Sequence, residues 1–295
     1  MQNSVKISIT GDLGSGKSVV SKHLCETLGA EKFSTGALQR KIAAEMGMTT
    51  LELNKYAETH PEIDDRIDGE LKNLRHLTEP IVIDSRMAWH FVPGSFKIYL
   101  IVSPRVAAER IMMDETRKSE DYDNIDEAIA KIRLRKKSEN ARFLHFYNVD
   151  GANLANYDLA VETTCLDADT VGRLILEKHD DWRAGTAFPQ LWLCPQSLYP
   201  TQPIAQAGTD ATEAVRVIDH DGYFFIYKGH AQVQRAFETG QKLVPATLHA
   251  RSEAELEPGM TAAQFVEMWC DRGVLQGWEA GHGFQFADYP PMLSL

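Results

Sequence analysis

The chain has 295 residues, of which 43% are hydrophobic and 25% charged, an ordinary soluble composition that excludes disordered, collagenous and membrane-spanning classes and suggests about two domains. Its longest apolar runs, such as Ile98-Tyr99-Leu100-Ile101-Val102, fall far short of the roughly 18 residues a transmembrane helix needs. With 31 Lys and Arg against 42 Asp and Glu the net charge is -11, which disfavours sequence-independent nucleic-acid binding and leaves a small anion as the ligand that local arginines can hold.

Val5-Lys6-Ile7-Ser8-Ile9 alternates as a strand does, and a glycine-rich loop leads from it into the helical run Val19-Val20-Ser21-Lys22-His23-Leu24. No secretory h-region follows Lys6. Cys25, Cys165, Cys194 and Cys270 have neither metal-ligand spacing nor disulfide density, so a cytoplasmic protein with reduced cysteines is expected. A strand at Glu31 to Ser34 precedes a helix from about Gly36 to Met46, stopped by Gly47. Thr49 and Glu52 have capping-box spacing and start a helix reaching about Glu58. Ile63, Ile67, Leu71 and Leu74 recur at helical spacing, which puts Asp64, Asp65, Asp68 and Lys72 on other faces.

Ile81 to Asp84 and Lys97 to Val102 are apolar without alternation, as strands of a parallel sheet covered on both sides are. Helices over Arg105 to Glu115 and Ile125 to Phe146, a strand over Tyr157 to Val161 and a helix over Thr170 to Lys178 complete an α/β doubly wound unit with a five-stranded parallel sheet. The first domain spans residues 1–179. The periodicity breaks in Asp180 to Pro189, the expected linker, and a smaller α+β unit spans 190–295. Within it, His220-Asp221-Gly222 between two β-rich runs predicts a hairpin, followed by a helix from His230 to Thr239, a strand from Leu243 to Leu248 and a helix from Ala262 to Glu279.

Gly11-Asp12-Leu13-Gly14-Ser15-Gly16-Lys17-Ser18 fills every fixed position of the Walker A pattern, between a predicted strand and a predicted helix. Such glycines let successive backbone N–H groups turn toward phosphate oxygens, Lys17 can reach the β- and γ-phosphates, and the Ser18 hydroxyl can ligate Mg²⁺. ATP and Mg²⁺ are therefore the expected ligands. The loop alone does not separate a kinase from a GTPase or a motor ATPase, but the chain has no Asn-Lys-x-Asp tetrapeptide and its first domain is compact, which favours a small-molecule kinase.

Further spaced segments resemble the cytidylate kinase family of P-loop nucleoside monophosphate kinases over about Lys6 to Lys178. They are Ser34-Thr35-Gly36-Ala37-Leu38-Gln39-Arg40, Val82-Ile83-Asp84-Ser85-Arg86, Glu109-Arg110-Ile111, and Arg135 through Arg142 leading to Phe146-Tyr147-Asn148-Val149-Asp150. The resemblance implies a three-layer P-loop fold and transfer of the ATP γ-phosphoryl group to CMP or dCMP. It places Arg40, Arg86 and Gly36 at the acceptor nucleotide, and Arg135 and Arg142 on a closing lid as catalytic groups beside Lys17. Asp84 would hold the Mg²⁺ shell with Ser18. For Asp84 a turn cap, and for Arg40 an ion pair with a nearby Glu, stay open as alternatives. Lys131, Arg133, Lys136 and Lys137 read mostly as a solvated helix face. The chain departs from the family pattern at Ala37, Gln39, Ala107, Phe143 and Asn148.

Pro200-Thr201-Gln202, Asp221 through Ile226 and Gly229-His230 resemble the ParB/sulfiredoxin-like fold over about Leu191 to Arg251. That family's phosphate-handling arginine is missing after His230, which implies a degenerate module for a ligand or protein partner. From Thr186 onward six Lys and Arg stand against twelve Asp and Glu, so this half carries no basic stripe for nucleic acid.

Overall fold

The first five strands are β1 (Lys6–Gly11), β2 (Glu31–Ser34), β3 (Ile81–Asp84), β4 (Phe96–Ile101) and β5 (Leu159–Glu162). They lie parallel in the order β2-β3-β1-β4-β5. Helices packed on both faces bury Ile7, Ile9, Val82, Ile98, Leu100 and Val161 completely, the reason these strands read as unbroken apolar runs. The chain is described here from a computed structural model that covers residues 5–57, 59–114, 122–208, 212–286 and 288–293.

The helices of this half are α1 (Lys17–Leu28), α2 (Thr35–Glu45), α3 (Thr50–Ala57), α4 (Glu62–Leu74), α5 (Ala88–Phe91), α6 (Pro104–Met112), α7 (Ile125–Tyr147) and α8 (Ala168–Ala184). The capping box forms: Glu52 N donates to Thr49 Oγ1 at 3.2 Å and Thr49 N to Glu52 Oε2 at 2.7 Å. Ile63, Ile67, Leu71 and Leu74 are all buried along α4. Asp68, expected on another face, is buried with them because Tyr147 Oη donates to its Oδ2 at 2.9 Å. The expected helix ends at Glu58 and Glu115 lie outside the described residues.

At residue 180 the structure departs from the expected linker. Helix α8 continues through it to Ala184, and only five residues separate the capping Gly185 from β6 (Leu191–Leu193), which pairs in parallel with β5. The expected five-stranded sheet therefore does not end at β5. Beyond β6 come β10 (Val244–Arg251), β8 (Val215–His220), β9 (Tyr223–Lys228) and β7 (Leu198–Tyr199), giving one ten-stranded sheet. The β8–β9 hairpin turns through Asp221 and Gly222, both at positive φ (54° and 84°), as a two-residue turn of this hand requires. Helix α9 (His230–Thr239) follows, then the small pair β11 (Glu255–Glu257) and β12 (Met260–Thr261).

The helix expected over Ala262 to Glu279 is two, α10 (Ala262–Trp269) and α11 (Arg272–His282). Asp271 breaks it by accepting from Val274 N at 2.8 Å, a new N-cap. One apolar core joins the halves: Trp89, Tyr99 and Tyr157 pack in the same cluster as Leu193, Val217, Ile226 and Trp278. Each such burial is worth roughly 1.5–3 kcal/mol, so the two halves stabilise each other. Among the described residues no helix is long and apolar enough to cross a membrane.

Candidate active site

The loop from Gly11 to Ser18 turns out of β1 into α1. Gly16 caps the helix in the left-handed region (φ 81°, ψ 15°), and a Cβ placed there would meet nothing within 4 Å, so the helix start faces open space. Leu13 points the other way, into a cluster with Ala108, Ile111, Ala128 and Ile132, and so anchors the loop on α6 and α7. Ser15 Oγ donates to Asp12 O at 2.8 Å and tightens the turn. Arg110 supports the loop from below, donating to Gly14 O at 3.2 Å and to Thr163 O at 2.8 Å.

Lys17 Nζ lies against the loop's own carbonyls, donating to Gly11 O at 2.9 Å and to Asp12 O. Burial, with the nearby Arg86 cation adding to it, pulls its ammonium down to about 7, while Asp84, Asp12 and Glu139 act in the opposite sense. An amine that is costly to charge and stands at an open helix start gains most from a polyanion. The Ser18 hydroxyl donates to Asp84 Oδ2 at 3.2 Å, and Lys32 Nζ is 3.9 Å from the same oxygen. The predicted pair of oxygen donors thus stands together where β3 ends, a donor set that suits a hard divalent cation retaining several waters.

Of the predicted arginines, the structure brings two together. Arg86 Nη1 is 2.7 Å from Glu139 Oε2 and Arg135 Nε 3.2 Å from Glu139 Oε1, so one carboxylate joins the end of β3 to α7. Glu139 escaped the sequence reading, although its spacing four residues after Arg135 is the signal of a helical ion pair. Arg40 projects from α2 into solvent beside Gly36, and among the described residues it has no ion pair; the alternative of a neighbouring Glu does not occur. The Arg142 guanidinium lies over the Phe143 ring at 5.7 Å, and among the described residues no hydrogen bond or ion pair links it or Arg40 to the Arg86–Glu139–Arg135 cluster.

A cleft of about 810 Å³ runs from the loop along α7 to the second half, lined among others by Asp12, Arg86, Tyr99, Lys136, Asp219 and Arg251. Lys136 is not the solvated charge expected of it: its Nζ lies 2.6 Å from Asp12 Oδ1. Arg133 likewise donates to Asp221 O at 3.4 Å and stands 5.7 Å from the centre of the Tyr223 ring.

A parallel sheet in this strand order, with a Walker loop after the first strand and arginines from a helix beside it, defines a P-loop kinase. A family described as an AAA domain matches residues 7–131. A cytidylate kinase of Methanobrevibacter smithii is 32% identical over 170 residues, 58% of this chain and 95% of that protein. One of Archaeoglobus fulgidus is 34% identical over 174 residues, 59% and 93%. The chain belongs to the cytidylate kinase family, through its first 60% or so. A longer alignment, at 30% identity over 254 residues, joins 86% of this chain to 50% of an S-adenosylmethionine-dependent nucleotide dehydratase of Lacinutrix mariniflava. That length necessarily extends beyond the kinase part.

Proposed function

We propose that the protein transfers the γ-phosphoryl group of ATP to the phosphate of a nucleoside monophosphate, CMP or dCMP. The observation that carries this reading is the phosphate loop with Lys17 folded against it and the Ser18 hydroxyl on Asp84 at 3.2 Å, beside the Arg86–Glu139 ion pair. Of the loop from Gly11 to Gly16, Gly11 stays in the β1–β4 ladder, Asp12 N donates to Leu100 O at 2.9 Å and Ser15 N to Asp12 O at 3.3 Å, so the amides of Leu13, Gly14 and Gly16 would hold the triphosphate, with Lys17 on its outer phosphates. Ser18 and Asp84 would hold Mg²⁺, whose charge offsets that of the phosphate oxygens. Arg86, and Arg40 beside Gly36, are the acceptor-phosphate groups of this reading. Arg135 and Arg142 would meet the phosphates from α7, their planar forks suited to phosphate oxygens. Stabilisation of transferring charge by fixed donors is the main catalytic contribution available to such a site.

The second half is read as a degenerate ParB/sulfiredoxin-like module that serves the kinase half or a partner. In a second reading nucleotide binding gates a protein contact, which the cleft running from the loop to the second half would favour. Coupled assay of ADP release with CMP, dCMP and other phosphorylated acceptors separates the two. Acceptor-dependent turnover with CMP or dCMP is expected. Tight binding of a non-hydrolysable ATP analogue without turnover on any acceptor would leave the gating reading. Lys17→Ala should lower kcat by about a hundred- to a thousandfold, as loss of a fixed oxyanion donor does. Arg40→Ala should instead raise the KM for the acceptor by roughly tenfold or more, the scale of one lost charge-assisted contact.

A further inference from the structure

Asp12 is an unusual presence in a loop expected to hold a polyanion, because its charge would repel the ligand unless it were neutralised. It is neutralised from afar. The side chain is only 14% exposed, and its carboxylate takes three donors: Tyr99 Oη at 2.9 Å, Val102 N at 3.3 Å and Lys136 Nζ at 2.6 Å. These contacts, with the Lys136 charge foremost, hold the carboxyl below the usual carboxylate range against the effect of burial. Two of the donors belong to β4 and the residue just past it. The third comes from the middle of α7, where Lys136 directly follows Arg135.

Neighbouring residues on a helix point in different directions, so holding Lys136 on Asp12 fixes both the height and the rotation of α7. In that orientation Arg135 and Glu139 lie beside Arg86. The second half grips the same stretch of helix. Asp219 of β8 lines the cleft and acts on the Lys136 ammonium, and Arg133, three residues earlier, donates to Asp221 O in the β8–β9 turn. Arg251 of β10 reaches the segment just after α7, donating to Ala152 O and standing 3.9 Å from Asp150 Oδ2 and 3.8 Å from Asp219 Oδ2.

We infer that Lys136 is a positioning residue whose bridge to Asp12 mounts the lid helix on the phosphate loop so that Arg135 meets the phosphates, with the β8–β9 turn of the second half as the other support of that mounting. The inference rests on the kinase reading for its catalytic consequence but not for the mounting itself. Lys136 borders the cleft and keeps 43% exposure, so Lys136→Met should fold.

In the full chain, Lys136→Met should lower kcat on the order of tenfold to a hundredfold, the cost of a small misplacement of a reacting group. Amides of α7 should lose hydrogen-exchange protection in the nucleotide-free protein, and Lys136→Arg should recover part of kcat. The double variant Asp12→Asn with Lys136→Met removes both charges and leaves no uncompensated carboxylate. Its Tm should return toward wild type while kcat stays low. Wild-type kcat in Lys136→Met, or a double variant that regains kcat together with Tm, would overturn the inference. Should the unaltered protein phosphorylate no acceptor, the kinase reading fails on its own, and unchanged exchange of α7 in Lys136→Met then overturns the mounting.

Discussion

Two helices in this chain start from a glycine of nearly the same left-handed backbone: Gly16 before α1 (φ 81°, ψ 15°) and Gly229 before α9 (φ 85°, ψ 27°). Around Gly16 a Cβ would meet nothing within 4 Å, whereas at Gly229 it would press on Val215 Cα at 2.8 Å and Ala214 O at 3.0 Å. The next residue differs in the same way. Lys17 is half-buried and folds back on the loop carbonyls, donating to Gly11 O at 2.9 Å, while the His230 ring is buried and its Nε2 accepts from Thr201 N at 3.1 Å. A helix start offers free N–H groups and a positive dipole end in both places, but only space in front of it makes an anion site. In the second half the same device has become packing.

If the second half is packing and mounting rather than a separate ligand-handling domain, removing it should be ruinous, and this is the largest effect expected. Ending the chain after residue 189 would uncover the edge of β5 and leave Trp89, Tyr99 and Tyr157 without Leu193, Val217 and Trp278. A truncated chain should be aggregated or lack a cooperative thermal transition, and the intact chain should unfold in a single one. The test is demanding because the alignments with the two cytidylate kinases take in 95% and 93% of those proteins and only 58% and 59% of this chain. An active, soluble 1–189 fragment would break the comparison.

The sequence carried the open helix start far better than the closed one, for physical reasons. A phosphate loop needs particular residues at consecutive positions, and unbroken apolar runs mark strands covered on both faces; both signals are local. The joint between the halves is not local. Leu191-Trp192-Leu193 is too short to show a period, yet it continues the sheet, and Asp12 and Lys136 are 124 residues apart. A lysine within the basic run Lys131 to Lys137 looks solvated until its partner is known. Asp68 was misplaced for the same reason, its buried partner being Tyr147 on another helix. The break at Asp271 was more accessible: an Asp two residues before Gly273, inside a supposed helix, is an N-cap signal.

The packed helix start can be tested by acid. Burial depresses the His230 imidazole to about 4 from its usual 6.5, so the folded chain keeps it neutral while the unfolded chain takes up a proton below 6.5. The sign follows: stability is fully present above about 6.5 and is lost as pH falls toward 4, by at most on the order of 3 kcal/mol. His230→Gln removes the titration and should flatten Tm against pH in that window, whatever it does to Tm at neutral pH. An unchanged slope would mean that the ring is accessible to protons and that the second helix start is more open than its neighbours allow.

The open helix start predicts the smaller and opposite linkage, read in binding rather than in stability. Without nucleotide, Lys17 sits near 7, so above that pH a growing share of the amine is neutral. Phosphate oxygens favour the charged form and raise its affinity for the proton, so binding at pH 8 should take up as much as about one proton. Calorimetry of an ATP analogue in two buffers of different ionisation enthalpy measures that uptake directly. Affinity should weaken from pH 7 to 9, by no more than about tenfold per pH unit, which is the limit for a single linked proton. Lys17→Met should abolish both the uptake and the slope while leaving the His230 transition in place. Proton uptake that survives Lys17→Met would move the phosphate-sensing group elsewhere in the cleft, though not to Lys136 of α7, whose ammonium the Asp12 carboxylate already keeps charged.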